Sequence, residues 1–424
     1  MRLVAKLFSN PSVLLIASNI VGLILGLASA ALQARLLGPA GRGELARAMV
    51  PGSIFAMLLC MGLPDYFSRR SAKGDDMRRL TGTAGCLALI IGIVAVGPYI
   101  VVVNVLEPYG TTAWWLLMAY AILSPGFIFG YCVTAISMGA SFWRMVAVLK
   151  VLPQAVAVLG MLGMLILDLV SALYVGLILI STSLVGLLIP LFRRQFFPPI
   201  SSSLRRMRLA TSFGLRGWPS GSLSLLNQRI DLLLLTVLAS AADLGYYAVA
   251  TTLAAILSAL ANAVALPTRN HVARGDNSRV PKTTATVVSC TLIVASFVTA
   301  GLPWLVSFVL GDEFLPAVPV MMVLLFTQVP RAGIIVVTQC LIGYGRPQSP
   351  LVGEATAIAT TIALVLFLYP IFGIVGAAFA SLGGNILSFG ALLYLSNRHI
   401  TRQRLTRYLF ISPRDAWSLA KSLS

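Results

Sequence analysis

The chain has 424 residues, of which 58% are hydrophobic and 10% are charged, and its formal net charge is +18. Soluble domains carry about 25% charged residues, so burying this much apolar surface requires lipid as a second solvent. The basic residues fall mostly in short connections between apolar runs, which is a membrane-topology pattern and argues against a nucleic-acid partner. The composition therefore indicates an integral membrane protein.

Apolar runs long enough to cross a bilayer as helices, about 20 residues each, recur along the whole chain. The sequence predicts twelve spans, at 12–36, 45–67, 80–104, 113–138, 143–167, 171–192, 212–238, 244–267, 284–310, 318–343, 350–369 and 373–396. Connections on one side are rich in Lys and Arg, whereas those on the other are nearly bare, with Arg42 as the exception. Because basic connections stay in the cytoplasm, both termini are predicted to be cytoplasmic.

The two halves of the sequence resemble each other at a nearly constant offset. The segment from Leu36 to Gly43 matches the segment from Leu238 to Gly245, and Pro125 matches Pro330. Six spans per repeat give both halves the same orientation. We therefore predict an all-α membrane protein with two six-helix bundles related by a parallel pseudo-twofold axis. The predicted domains are a bundle at 1–196, a cytoplasmic linker at 197–211, a bundle at 212–397 and a basic cytoplasmic tail at 398–424.

Polar residues inside the apolar runs of the first half are candidates for a transport site. Asn19 and Gln33 lie with Gly22 and Gly26 on one narrow face of the first span. This face either lines a hydrated cavity or packs against another helix through the GxxxG pattern. Lys150 of the fifth span either binds substrate or extends its ammonium to the interface. Two arginines near the outer mouth are assigned to an outer gate: Arg35 and Arg47.

The seventh span is the most polar of the twelve. If Pro219 does not rotate the helix, Arg216, Asn227 and Asp231 share a face, and Arg229 points roughly the opposite way. This cluster is either a substrate or ion site, or a structural ion pair between helices.

Two further ionisable residues lie in the tenth and eleventh spans. Arg331 is near the predicted bilayer midplane with no acidic neighbour in its own helix, so it needs an interior partner or an anionic ligand. Glu354 opens the eleventh span. Asp231 and Glu354 are assigned to ion coupling or to ion pairs. The cations Arg216, Arg229, Arg331 and Lys150 outnumber these acids, which favours an anionic substrate.

Several motifs resemble a known family. The segment Ala34–Glu44, ARLLGPAGRGE, is similar to the first-loop signature of polysaccharide-biosynthesis membrane proteins, and Leu226–Asp231, LNQRID, is similar to their seventh span. Asp243–Ala250 and Gly343–Pro347 resemble later segments. The match extends over nearly the whole chain and points to Wzx-type oligosaccharide flippases of the MATE/flippase (MOP) superfamily.

The resemblance implies an alternating-access flippase, not an enzyme. It implies that polyprenyl-pyrophosphate-linked oligosaccharide moves from the cytoplasmic to the periplasmic leaflet of a bacterial inner membrane, for surface polysaccharide synthesis. No cofactor is expected, and H⁺ or Na⁺ is the expected coupling ion. The expected partners are the lipid-linked glycan, the bilayer, a polysaccharide polymerase and chain-length proteins, with a monomeric state. The alternative is an ion-coupled antiporter of small molecules of the multidrug type, for which an acidic cavity is expected.

Overall fold

The computed structural model describes residues 11–188, 203–277, 279–346, 348–401 and 408, and within these ranges the chain is helical with no strand. Eight helices in this part are long and apolar enough to cross a membrane. The chain is therefore a multi-pass membrane protein, as predicted. The count of twelve spans stays a prediction.

The chain packs as two units, Met1–Ser222 and Leu223–Ser424. The boundary between them falls inside a helix, and the predicted domain limits stay predictions. Residues 197–202 of the predicted linker and most of the predicted tail lie outside the described residues.

The described part of the first unit contains six α-helices and the beginning of a seventh. They are α1 (Pro11–Leu58), α2 (Leu63–Ala72), α3 (Met77–Leu106), α4 (Thr112–Gly139), α5 (Trp143–Ile166), α6 (Ala172–Ser183) and α7 (Leu204–Asn227). Side-chain oxygens cap three of these starts: Asp76 accepts from Arg78 N at 3.0 Å, Thr111 from Trp114 N at 3.2 Å and Ser171 from Tyr174 N at 3.4 Å. Capping satisfies backbone donors that have no partner within the helix.

Where the structure describes the second unit, it contains the end of α7 and six more α-helices. They are α8 (Ile230–Leu238), α9 (Ala241–Ala254), α10 (Ser258–Ala273), α11 (Arg279–Val309), α12 (Val318–Gly343) and α13 (Ser349–Ser396). A 3₁₀ turn, Ala255–Leu257, joins α9 to α10, and another, Asp312–Ala317, precedes α12. The core around α12 and α13 includes Ile334, Val337, Phe389 and Leu393.

Two of the long helices each consist of two helical segments joined at a sharp bend. In α1 the bend is at Gly38, with φ 62° and ψ −177°, and in α13 it is at Gly373, with φ 58° and ψ −141°. The bend at Gly38 lies between the first two predicted spans, and the bend at Gly373 lies at the first residue of the twelfth. The first span and the start of the second therefore fall in α1, and the eleventh and twelfth fall in α13. These conformations are open to glycine because it has no Cβ.

The predicted second and seventh spans are interrupted. Instead of one run over 45–67, α1 ends at Leu58 and α2 begins at Leu63, after a turn in which Met61 and Gly62 have positive φ. A Cβ on Gly62 would lie 2.6 Å from the carbonyl oxygen of Gly214, so this turn packs directly against α7. Instead of one run over 212–238, α7 ends at Asn227 and α8 begins at Ile230.

Candidate functional site

Two adjoining polar cavities lie within the second unit. One has a volume of about 240 Å³ and the other about 230 Å³. Five residues line both: Asn227, Gln228, Ser258, Arg331 and Asn385. The shared lining makes them one cleft with two chambers, which we call the polar cleft.

The break between α7 and α8 forms one wall of the polar cleft. The amide of Arg229 donates to Leu226 O at 3.0 Å, which closes a tight turn, and α8 then begins with Asp231 in its first turn. The positive end of a helix dipole stabilises a carboxylate at this position. Interrupted helices occur at membrane depth where their backbone lines a cavity, as this one does.

Asp231 is held by three hydrogen-bond donors. Its Oδ2 accepts from the Tyr247 hydroxyl and from Ser381 Oγ, each at 2.7 Å, and its Oδ1 accepts from Leu232 N at 2.8 Å. Tyr247 is on α9 and Ser381 is on α13, so this carboxylate ties α8 to two other helices. Charge-assisted bonds of this kind are among the stronger interactions in proteins.

Glu354 has a different environment. Its Oε2 accepts from Asn227 Nδ2 at 2.6 Å, and it is half-buried at the second chamber. Asn227 is the last residue of α7, so this bond ties α13 to the helix break.

The two arginines of the polar cleft keep their guanidinium donors available. Neither Arg229 nor Arg331 makes a side-chain hydrogen bond or ion pair with a described residue, although Asp231 and Glu354 act on Arg331 electrostatically. Arg331 is half-buried on α12 and lines both chambers. A guanidinium in this position can bind a phosphate oxygen through two parallel N–H donors.

Neutral polar groups complete the lining. Gln328 Oε1 and Asn385 Oδ1 are buried acceptors without a hydrogen-bond partner in the described part of the chain. Buried acceptors of this kind need donors from water or from a ligand. Threonine and serine hydroxyls of α9, α10 and α12 line the same chamber, among them Thr251, Ser258 and Thr327.

The structure brings together only some of the predicted site residues. Asn227, Arg229, Asp231, Arg331 and Glu354 meet at the polar cleft, where two cations face two acids. Lys150 and Arg216 belong to the first unit. Within the polar cleft, cations therefore do not outnumber acids. What distinguishes this site is the availability of the guanidinium donors of Arg229 and Arg331, not its net charge.

In the first unit, Lys150 Nζ donates to Asn19 Oδ1 at 2.8 Å, and both side chains are exposed. Gln33 is buried, and its Nε2 donates to Ser29 Oγ at 2.9 Å, one turn earlier on the same helix. Arg216 is exposed on α7.

The predicted outer-gate arginines also lie in the first unit, with Arg35 exposed and Arg47 half-buried on α1. Partial burial raises the pKa of the Glu107 carboxyl above its ordinary value, and the nearby positive charge of Arg47 opposes that rise. Arg47 and the connection after α3 are therefore neighbours.

The family model described as "Polysaccharide biosynthesis protein" matches residues 10–268, which is more than half of the chain. The chain belongs to this polysaccharide-biosynthesis family. The resemblance seen in the sequence motifs is thereby confirmed. No curated protein matches the sequence significantly.

Solved structures share the fold of this family member. A structure described as lipid II flippase MurJ in an inward closed conformation aligns over 96% of this chain and 91% of its own, with a TM-score of 0.74 and 12% identity. An inward-facing multidrug resistance MATE transporter of the MOP superfamily aligns over 92% of this chain and 96% of its own, with a TM-score of 0.66 and 14% identity. A MOP superfamily transporter from Pyrococcus furiosus aligns over 93% of this chain and 97% of its own, with a TM-score of 0.58 and 15% identity. These similarities establish the MOP fold, and flippases and transporters rather than enzymes share it.

Several residues at the polar cleft were not predicted, among them the lining residues Gln328, Ser381 and Asn385 and the partner of Asp231, Tyr247. Tyr247 stands in the Asp243–Ala250 motif that carried the family resemblance, and Gln328 is one turn before Arg331. Ser381 and Asn385 are four residues apart on one face of α13, and Asn385 Nδ2 donates to Ser381 O at 2.8 Å. A search for polar pairs at helical spacing would have found this last pair.

Proposed function

We propose that this family member is an alternating-access flippase. It moves a polyprenyl-pyrophosphate-linked oligosaccharide from the cytoplasmic to the periplasmic leaflet of a bacterial inner membrane, with both chain ends in the cytoplasm. The observation that carries this proposal is the Arg331 guanidinium, which lines both chambers of the polar cleft without a hydrogen bond or ion pair to any described residue.

An anionic substrate fits the available groups better than a cationic one. Both carboxylates are already engaged, Asp231 by three donors and Glu354 by Asn227, whereas the donors of Arg229 and Arg331 are open. A pyrophosphate cannot enter hydrocarbon without compensating partners. Arg331 and Arg229 supply those partners in this proposal. The other predicted substrate residues, Lys150, Arg216 and Asn19, belong to the first unit and stay predictions.

The glycan is matched by neutral hydrogen-bonding groups. The unpartnered acceptors of Gln328 and Asn385 require donors, and sugar hydroxyls supply them. The hydroxyls of Thr251, Ser258 and Thr327 donate to backbone carbonyls, so their oxygens remain as acceptors for sugar hydroxyls. The prenyl chain stays in the bilayer, and Gln33, Arg35 and Arg47 lie along the outer part of the proposed route.

Transport against a gradient requires coupling, which we assign to H⁺ or Na⁺ at Asp231 and Glu354. The described residues contain no group of three His, Cys, Asp or Glu side chains that could hold a metal ion. Any sodium at this position would therefore depend on neutral oxygens beside a single carboxylate. A polysaccharide polymerase and chain-length proteins are the proposed partners of a monomeric flippase.

The second candidate is an ion-coupled antiporter of small molecules. Multidrug transporters share this fold over nearly the whole chain, and the polar cleft holds as many acids as cations. The two functions differ in the charge of the ligand. Arg331 would attract the anionic ligand of a flippase and repel the cationic ligand of a multidrug antiporter.

Ligand binding to the purified protein separates the two candidates. Geranylgeranyl pyrophosphate and the cationic drug ethidium would be titrated against wild type, Arg331→Ala and the control Arg274→Ala, whose side chain is exposed after α10. We expect Arg331→Ala to weaken pyrophosphate binding about 10- to 100-fold, because a hydrogen bond to a charged group is worth about 1.5–3 kcal/mol. The control should bind like wild type.

Pyrophosphate binding that is equally tight in Arg331→Ala and wild type would remove the anion-site proposal. Saturable ethidium binding that strengthens in Arg331→Ala would support the antiporter instead.

A further inference from the structure

A separate groove lies between α1 and α5 in the first unit, with a volume of about 500 Å³. Side chains between Leu14 and Val21 line it on α1, and side chains between Arg144 and Ala155 line it on α5. The α5 lining recurs every three or four residues, so it follows one face of the helix. Nothing in the proposed transport route uses this groove.

The groove is apolar except at one end. Among its described lining residues, the hydroxyl of Ser18 donates to Leu15 O of its own helix at 2.9 Å, so its proton is not available to a ligand. Arg144 is the one charged residue among the described lining residues; it is exposed and has no hydrogen bond or ion pair with a described residue. A cation at the end of an apolar channel complements an amphiphile with a negatively charged head.

The length of the groove matches one leaflet of a bilayer. From Arg144 to Ala155 the helix rises by about 16 Å, at about 1.5 Å per residue. The hydrocarbon core of a bilayer is about 30 Å thick, so one leaflet is about 15 Å deep. Trp143, the half-buried first residue of α5, stands beside Arg144 and is the residue type that favours the membrane interface.

We propose that this groove is a binding site for an anionic phospholipid, with its phosphate against Arg144 and one acyl chain between α1 and α5. A lipid with net negative charge is favoured over a zwitterionic one because the lining residues that the structure describes include one cation and no acid. The basic connections place Arg144 on the predicted cytoplasmic side, where anionic lipids attract such residues. The bound lipid would join α1 to α5 at the level where Lys150 meets Asn19.

Native mass spectrometry of the full-length protein, exchanged into delipidating detergent and incubated with phosphatidylglycerol or phosphatidylcholine of identical chains, tests this site. Two variants remove its parts: Arg144→Gln removes the cation, and Val148→Trp fills the groove. Val148 is 56% exposed, so the larger ring extends into the groove and not into the core. Matched controls are Arg205→Gln, an exposed arginine of α7, and Val156→Trp, an exposed valine of α5 outside the groove.

We expect wild type and both controls to retain phosphatidylglycerol about fivefold better than phosphatidylcholine, the effect of one cation near an anionic head group. Arg144→Gln should lose that preference, and Val148→Trp should retain less of both lipids. The proposal is overturned if Arg144→Gln keeps the preference, or if Val148→Trp retains as much lipid as Val156→Trp. Displacement of bound phosphatidylglycerol by equimolar polyprenyl phosphate would overturn it too, by showing that an isoprenoid chain is the preferred occupant.

Discussion

At the scale of single residues, the two carboxylates of the polar cleft have unequal freedom. Asp231 accepts three hydrogen bonds from groups on α8, α9 and α13, whereas Glu354 accepts one from Asn227. Several donors fix the position of a carboxylate. Asp231 therefore ties α8, α9 and α13 together, and Glu354 is the freer of the two acids to move.

Replacing Asp231 with Asn should destabilise the folded protein. The neutral amide cannot accept charge-assisted bonds from both Tyr247 and Ser381, so we expect a loss of about 1.5–3 kcal/mol. Thermal unfolding in detergent measures this loss. Asp168→Asn is the control, because Asp168 is exposed with φ 52°, a conformation that Asn also adopts. Equal unfolding temperatures for the two variants would contradict the assigned role of Asp231.

The sequence identified the ionisable residues of the polar cleft but not their partners. An arginine or acid in an apolar run is rare enough to be noticed alone, and this is how Arg331, Asp231 and Glu354 were predicted. Serine, threonine and tyrosine are ordinary in membrane helices. Tyr247 and Ser381 have their roles because α9 and α13 pack around Asp231. Packing between helices cannot be predicted from the periodicity of a single helix.

At the scale of helices, four interruptions organise the described chain: the bends at Gly38 and Gly373, the turn between α1 and α2, and the break between α7 and α8. Both bends are at glycines at or near the limits of predicted spans, where glycine permits a positive φ. The break at Gln228 and Arg229 was not predicted, because no glycine or proline stands between Ser224 and Ile230. Its polar side chains line the polar cleft, so the interrupted backbone borders a cavity.

Gly373→Ala should destabilise the bend of α13. No atom of the surroundings lies within 4 Å of an added Cβ, so the cost comes from the backbone conformation alone, about 1–3 kcal/mol. Gly390→Ala is the matched control, because Gly390 is in the same helix with equally open surroundings and without a positive φ. Alanine there should be neutral or stabilise by up to about 1 kcal/mol. Thermal unfolding of both variants measures the difference, and a Gly373→Ala protein as stable as Gly390→Ala would show that the bend is not strained.

At the scale of the whole molecule, the fold and the family follow from composition and motifs, whereas the substrate follows from a small number of side chains. Hydrophobicity alone identified a multi-pass helical protein, and the first-loop motif identified the family. The break between α7 and α8 borders side chains of α12 and α13 that are distant in sequence. The sequence therefore supported the seventh span but not this interruption.

If an ion gradient drives transport, it should be needed for net accumulation of glycan in one leaflet. Proteoliposomes with an imposed H⁺ or Na⁺ gradient should accumulate lipid-linked glycan on one side, and an ionophore that collapses the gradient should abolish this. Accumulation that survives collapse of both gradients would exclude coupling at Asp231 and Glu354.

The most direct test of the flippase proposal is translocation by the wild-type protein. Vesicles would carry a labelled polyprenyl-pyrophosphate-linked oligosaccharide in both leaflets, and an externally added glycosidase would cleave the glycan that is exposed. We expect the wild-type protein to make the inner, protected pool accessible, and Arg331→Ala to leave most of it protected. A protected pool that stays as large with folded wild-type protein as in protein-free vesicles would contradict the proposed function.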